Sequence, residues 1–102
     1  MRQLPILLRE DAIADLEDIA SYLVVQGAQD AIIHGFLRRI RQQCESIGLV
    51  PGSYPLRPDL GPEIRIAPFE RSAVIAYRVT ESAVEIINIF YGGRDYAALL
   101  GD

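Results

Sequence analysis

Ten basic residues, all arginine, and five tyrosines supply most of the side-chain chemistry available to this chain of 102 residues. Arg65, Arg71, Arg78, Tyr91 and Arg94 fall between residues 65 and 94, within or beside runs that read as strands. Arginine forks and a phenol can hold a carboxylate or a phosphoryl group and stabilise charge on it. The set has no good proton acceptor, so as a hydrolytic site it is incomplete. His34, the one histidine, sits on a helical stretch among core positions, and no second histidine or cysteine can join it as a metal ligand. Cys44, the one cysteine, has core spacing on the same stretch and reads as a small packed hydrophobe, which excludes an internal disulfide. Gly92-Gly93 follows a strand but is not followed by Lys or Ser/Thr, so it is no phosphate loop. No catalytic residue, metal or cofactor is expected from these residues alone.

Charge bounds the partners. The net charge is −4, and residues 1–30 hold two arginines against six acids, while the rest of the chain is balanced. An acidic chain without lysine is poorly suited to binding by phosphate neutralisation, so no direct nucleic-acid partner is expected. No apolar run approaches the ~20 residues of a membrane span, and MRQLPILLRED meets acid too early for a secretory signal, so a cytoplasmic protein is expected. Half of the residues are hydrophobic and 24% charged, which fits one ordered domain over 1–102.

The elements that must position these residues follow from spacing. Gln3 to Leu8, broken by Pro5, reads as an edge strand that opens a sheet. Asp11 is placed to cap a first helix running to Gln26, with Ile13, Leu16, Ile19, Ala20 and Leu23 as its apolar stripe and acids in its first turns, where the helix dipole favours them. A second helix over Ala28 to Ile47 carries Ile33, Phe36, Leu37, Ile40, Cys44 and Ile47, with Gly48 and Pro51 as its stop signal. The pair should form an antiparallel hairpin in which helix-two arginines face helix-one acids. Pro51 to Pro62 holds four prolines and is a rigid connector. Residues 72–80 and 83–91 read as antiparallel strands joined by Glu81-Ser82, apolar on both faces and therefore covered on both sides. Arg94 to Leu100 suggests a short helical tail with Tyr96, Leu99 and Leu100 on one side. The fold class is α+β, ordered β-α-α-β-β-β, with Phe36, Leu37, Ile40, Ile75 and Ile87 buried.

In that order, AIADLEDIASYL, CESIGLVPGSYPLRPDLGPEIRI, AVIAYRV and INIFYGGRDY resemble the RelE/ParE superfamily of type II toxins over nearly the whole chain. The P-x-x-Y-P-x-R-P-D-L-G spacing looks most like the ParE branch. That resemblance implies a bacterial toxin that inhibits DNA gyrase and hence replication, neutralised by a ParD-like antitoxin in a hetero-oligomer. Arg57, Arg71, Arg78, Arg94 and Tyr96 are then candidates for contacts with antitoxin or target. The RelE branch, which cuts ribosome-bound messenger RNA, is matched less well: Val74 stands where such nucleases offer arginine, lysines are absent, and no histidine lies near the last strand. A RelE-like reading would rest on Arg65, Tyr91 and Arg94, and a third alternative is an inactive toxin-fold binding module.

Overall fold

The structure, a computed structural model, describes residues 3–92. The elements are β1 (Ile6–Leu8), α1 (Glu10–Val25), α2 (Asp30–Leu49), β2 (Arg65–Phe69), β3 (Ala73–Val79) and β4 (Val84–Tyr91), in the order expected. The tail proposed for Arg94 to Leu100 lies outside the described residues. The strands form one sheet in the order β1-β4-β3-β2. The tight connections make β2-β3 and β3-β4 antiparallel, whereas β1, reached only by a long crossover, lies parallel to β4 at the sheet edge.

Each helix boundary has a local cause. The sheet ladder extends one residue past β1, with the Arg9 amide donating to Ile86 O at 2.9 Å, and the chain turns at once into α1. Arg9 is therefore the N-cap, and Asp11, expected in that role, is the second helical residue, serving the dipole of the first turn. At the other end Ala28 N–H donates to Leu23 O and Gly27 N–H to Val24 O, a Schellman closure with Gly27 at φ +86° where other residues would be strained. Gly48 is not the stop signal of α2 but lies inside it. A Cβ there would meet Leu4 O at 2.5 Å, and Leu4 N–H donates to Gly48 O, so the glycine lets the N-terminal segment lie against the helix.

The hairpin packs on one face of the sheet. Ile19, Phe36, Ile40, Cys44 and Ile47 from the helices meet Phe69, Ile75, Tyr77, Ile86 and Ile89 from the strands. Phe36 makes edge-on contacts with Phe69 at 5.6 Å and Tyr91 at 5.4 Å between ring centroids. The opposite face buries Ile66, Ala76 and Phe90 under Leu60 and Ile64 of the proline-rich connector. The start of the connector is held on the helix face, where the buried Tyr77 hydroxyl donates to Pro51 O at 2.9 Å and burial pushes its phenol pKa up.

A bulge lets β4 serve both faces. Ala76 faces Asn88 and Tyr77 faces Ile86, leaving Ile87 as the extra residue, so that Val84 and Ile86 point to the helices before the bulge, and Ile89 and Tyr91 after it. Beyond Ile86 no described strand covers this side of β4. Asp15 of α1 fills the gap: its Oδ2 accepts from Ile89 N–H at 2.8 Å and from Asn88 Nδ2 at 3.2 Å.

Several expectations need correction. Leu37 and Ile87 are half-buried: Leu37 faces the gap between the helices, and Ile87 is the bulge residue on the incompletely roofed face. His34 is exposed, because one residue after Ile33 is about 100° off the buried stripe. Among the described residues no helix-two arginine pairs with a helix-one acid. Arg39 reaches Glu70 at 2.6 Å in the β2–β3 turn and Arg41 reaches Glu45 at 3.5 Å one turn along its own helix.

Truncating Phe36 to Ala should cost about 3 to 5 kcal/mol in denaturant unfolding, since it removes a buried ring and its two ring contacts. Asp15→Ala, which strands the Ile89 amide, should cost about 1 to 3 kcal/mol, and hydrogen exchange at Ile89 should quicken selectively.

Candidate functional site

The chemistry-bearing residues of the sequence do not converge. Arg65 opens β2 opposite Tyr77, and its guanidinium donates to Tyr54 O, holding the connector. Tyr91 closes β4 opposite Ala73 and is packed edge-on against Tyr22 and Phe36. Four residues of β3, roughly 13 Å at strand rise, separate the two positions. Arg57 forms a fork with Asp59 in the connector at 3.1 and 2.9 Å, and the hydrogen bonds from Arg57 lower the Asp59 pKa. Arg71 is exposed in the β2–β3 turn, and Arg94 and Tyr96 lie outside the described residues. No group of His, Cys, Asp and Glu suited to a metal occurs among the described residues.

What the fold does assemble is a mixed surface at the β1–β4 side of the second sheet face. Arg78 and Glu85 stand opposite each other on β3 and β4 and pair at 2.9 Å, and Arg9, leaving β1, approaches the same carboxylate at 3.8 Å. Glu85 is largely shielded, with its side chain 16% exposed, so the two cations face one sheltered acid. Beside them a groove of about 590 Å³ is lined by Leu7, Leu8, Ile64, Ile87, Arg78 and the first turn of α1. Leu7 is half exposed there. Arginine heads beside apolar side chains are equipped to receive a peptide carrying both acids and hydrophobic residues. Of this set the sequence pointed to Arg78. Glu85 escaped notice, although a two-strand hairpin of this length already places it across from Arg78.

A second groove, about 580 Å³, opens where α1 and α2 part over β1. Leu4, Ile6, Leu16, Leu37, Ile40 and Cys44 line it. Burial is the main reason the Cys44 thiol pKa is pushed up to about 11.

The sequence model for the ParE toxin of the type II toxin-antitoxin system, parDE, matches residues 6–96. The chain thus belongs to the ParE toxin family of type II toxin-antitoxin systems. Among solved structures, a chain of the chromosomal ParDE TA system from P. aeruginosa superposes with a TM-score of 0.75 at 22% identity, over 88% of this chain and 97% of that one. It has the same fold. The solution structure of the conserved hypothetical protein HP0894 from Helicobacter pylori aligns over 86% of this chain and 93% of that one, at 14% identity and a TM-score of 0.44. No curated protein matches the sequence closely enough to add to these. No described helix is long and apolar enough to cross a membrane.

Cys44 should be unreactive to a disulfide reagent in the native protein near pH 8 and react rapidly once unfolded. Because its folded pKa, about 11, is above the ordinary 9.0, the thiol's contribution to stability is complete below pH 9.0 and is lost as pH rises towards 11. A loss of that contribution on the acid side of pH 9.0 would contradict the assignment.

Proposed function

We propose that this chain is a gyrase-inhibiting toxin that acts in the cytoplasm as a binding protein, and that a ParD-like antitoxin neutralises it. Membership of the ParE toxin family over residues 6–96 carries the reading. The geometry supports binding over cleavage. Arg65 and Tyr91, on which a nuclease reading would lean, stand at opposite ends of the sheet, and each is engaged, one with the connector and one in an aromatic cluster. Val74 lies half-buried on the second face, packed against the apolar cluster of Ile64, Ile66, Ala76 and Phe90. The reading needs no cofactor and no direct contact with nucleic acid.

The antitoxin would take the surface around Arg78, using acids for that arginine and apolar side chains for Leu7, Leu8 and Ile87, and an extended partner following β3 would reach the exposed Arg71 at the strand's other end. Arg57 is a weaker candidate, because Asp59 engages two of its nitrogens as a fork, whereas Glu85 takes one nitrogen of Arg78. Arg94 and Tyr96 are proposed as contacts on sequence alone.

Purified protein should inhibit gyrase supercoiling or trap cleaved DNA, and an equimolar amount of the protein encoded beside it should lift the inhibition. Cleavage of ribosome-bound messenger at codon positions, with supercoiling untouched, would overturn the proposal and make Arg65, Tyr91 and Arg94 the first residues to mutate.

A further inference from the structure

The exposed charges of the two hairpin helices differ in balance. On α1, Glu10, Asp11, Glu17 and Asp18 are exposed with no base among them, and on α2 Arg38, Arg39 and Arg41 are exposed against Asp30 and Glu45. At 3.6 residues per turn, Ala14, Glu17, Ser21 and Val24 form the line of α1 opposite its buried residues. Ala31, Gly35, Arg38 and Gln42 form the corresponding line of α2. Neither Glu17 nor Arg38 has an ion pair among the described residues, whereas Arg39 and Arg41 are engaged by Glu70 and Glu45. Near the hairpin tip three large apolar side chains are left in water, Val24 at 61%, Val25 at 80% and Ile32 at 60% exposure, and of these only Val24 stands on one of the two lines.

We propose that this outer face of the hairpin docks a second copy of the same chain, α1 of each copy lying on α2 of the other, with Glu17 of one copy paired to Arg38 of its mate. The turn between the helices fixes the register. Counted from Gln26, Glu17 is nine residues back along α1, and counted from Gln29, Arg38 is nine residues forward along α2, so the two stand at one level. Ser21 and His34 share a level in the same way, as do Val24 and Ala31.

A two-fold axis parallel to the helices preserves levels and exchanges the helices, so it brings Glu17 to Arg38 and Val24 to Ala31 twice over. A two-fold axis lying across them would stack α1 on α1, acid on acid, and charge disfavours it. The small residues Ala14, Ala31 and Gly35 on the contact lines let the helices approach. One level opposes the arrangement: Glu10 meets Glu45 at the open end, where Arg41, 3.5 Å from Glu45, offsets the repulsion. The face measures roughly 24 by 20 Å, so a dimer would bury about 1,000 Å² in all, at the low end for a specific contact. The association is accordingly weak and sensitive to salt.

Sedimentation equilibrium of the full chain, from micromolar to a few hundred micromolar, tests this. At low salt a monomer–dimer equilibrium is expected, shifting towards monomer at half-molar salt. Glu17→Arg and Arg38→Glu should each raise the dimer Kd by about tenfold or more, and the two together should restore it to within about threefold. Val24→Asp, which sets a charge against Ala31 of the mate, reports on the same contact at a second level and should also raise the Kd. All three positions are exposed, and the thermal midpoint of each variant checks that it folds. A monomer throughout the range, or a dimer indifferent to the single swaps or unrestored by the charge reversal, overturns the proposal. Gyrase inhibition is read separately, so neither result decides the other.

Discussion

Two hydrogen bonds to one carboxylate orient the helical hairpin on the sheet. Apolar packing between α1 and β4 tolerates sliding, because Ile19 and its neighbours are non-directional. Asp15 is not so tolerant: it accepts from the Ile89 amide and the Asn88 side chain where β4 has lost β1 as a neighbour. Were the helix displaced by one turn, the amide of a half-covered strand would have no partner, at a cost of about 1 to 3 kcal/mol. The bulge at Ile87 makes this arrangement possible by switching which β4 residues point towards the helices.

From that junction the two faces of the sheet divide their duties. The helix face is filled by large side chains and closed by aromatic contacts around Phe36. The other face is roofed only by Leu60 and Ile64, and its uncovered part carries the arginine pair, Glu85 and the exposed side chains of β1. A small α+β chain that leaves part of one sheet face unroofed gives up burial, and with it stability, there. The proline-rich connector limits the loss, since Tyr77 and Arg65 fasten its backbone to the strands.

Charge follows the same division. Surface pairs such as Arg39–Glu70 and Arg57–Asp59 are worth about 0 to 1 kcal/mol each in water and mainly hold local geometry. Arg39 steadies the turn in which Glu70 sits at φ +51°, a conformation seldom adopted by a residue with a Cβ. Glu85, shielded from solvent, pairs with Arg78 across the β3–β4 hairpin at 2.9 Å and lies 3.8 Å from Arg9 at the end of β1, so it links the two. Asp15 and Asp11, both simply helix-start acids to a reader of the sequence, have different work: one binds the sheet and the other complements the dipole.

The sequence by itself determined the element order, the secure stripe of α2 from Ile33 to Ile47, the antiparallel pairing of β3 and β4, and family membership. Each of these depends on residue spacing within a few turns or one tight connection. Spacing also marked Phe36, Ile40 and Ile75 as core. Only the tertiary structure decided that β1 runs parallel beside β4, that Gly48 serves a close approach and not a stop, and that His34 faces water. It alone separated Arg65 from Tyr91 and joined Asp15 to Ile89, residues 74 apart in the chain. Such contacts leave no periodic trace, because a bulge shifts strand register by one residue and a crossover lets distant segments meet at any offset.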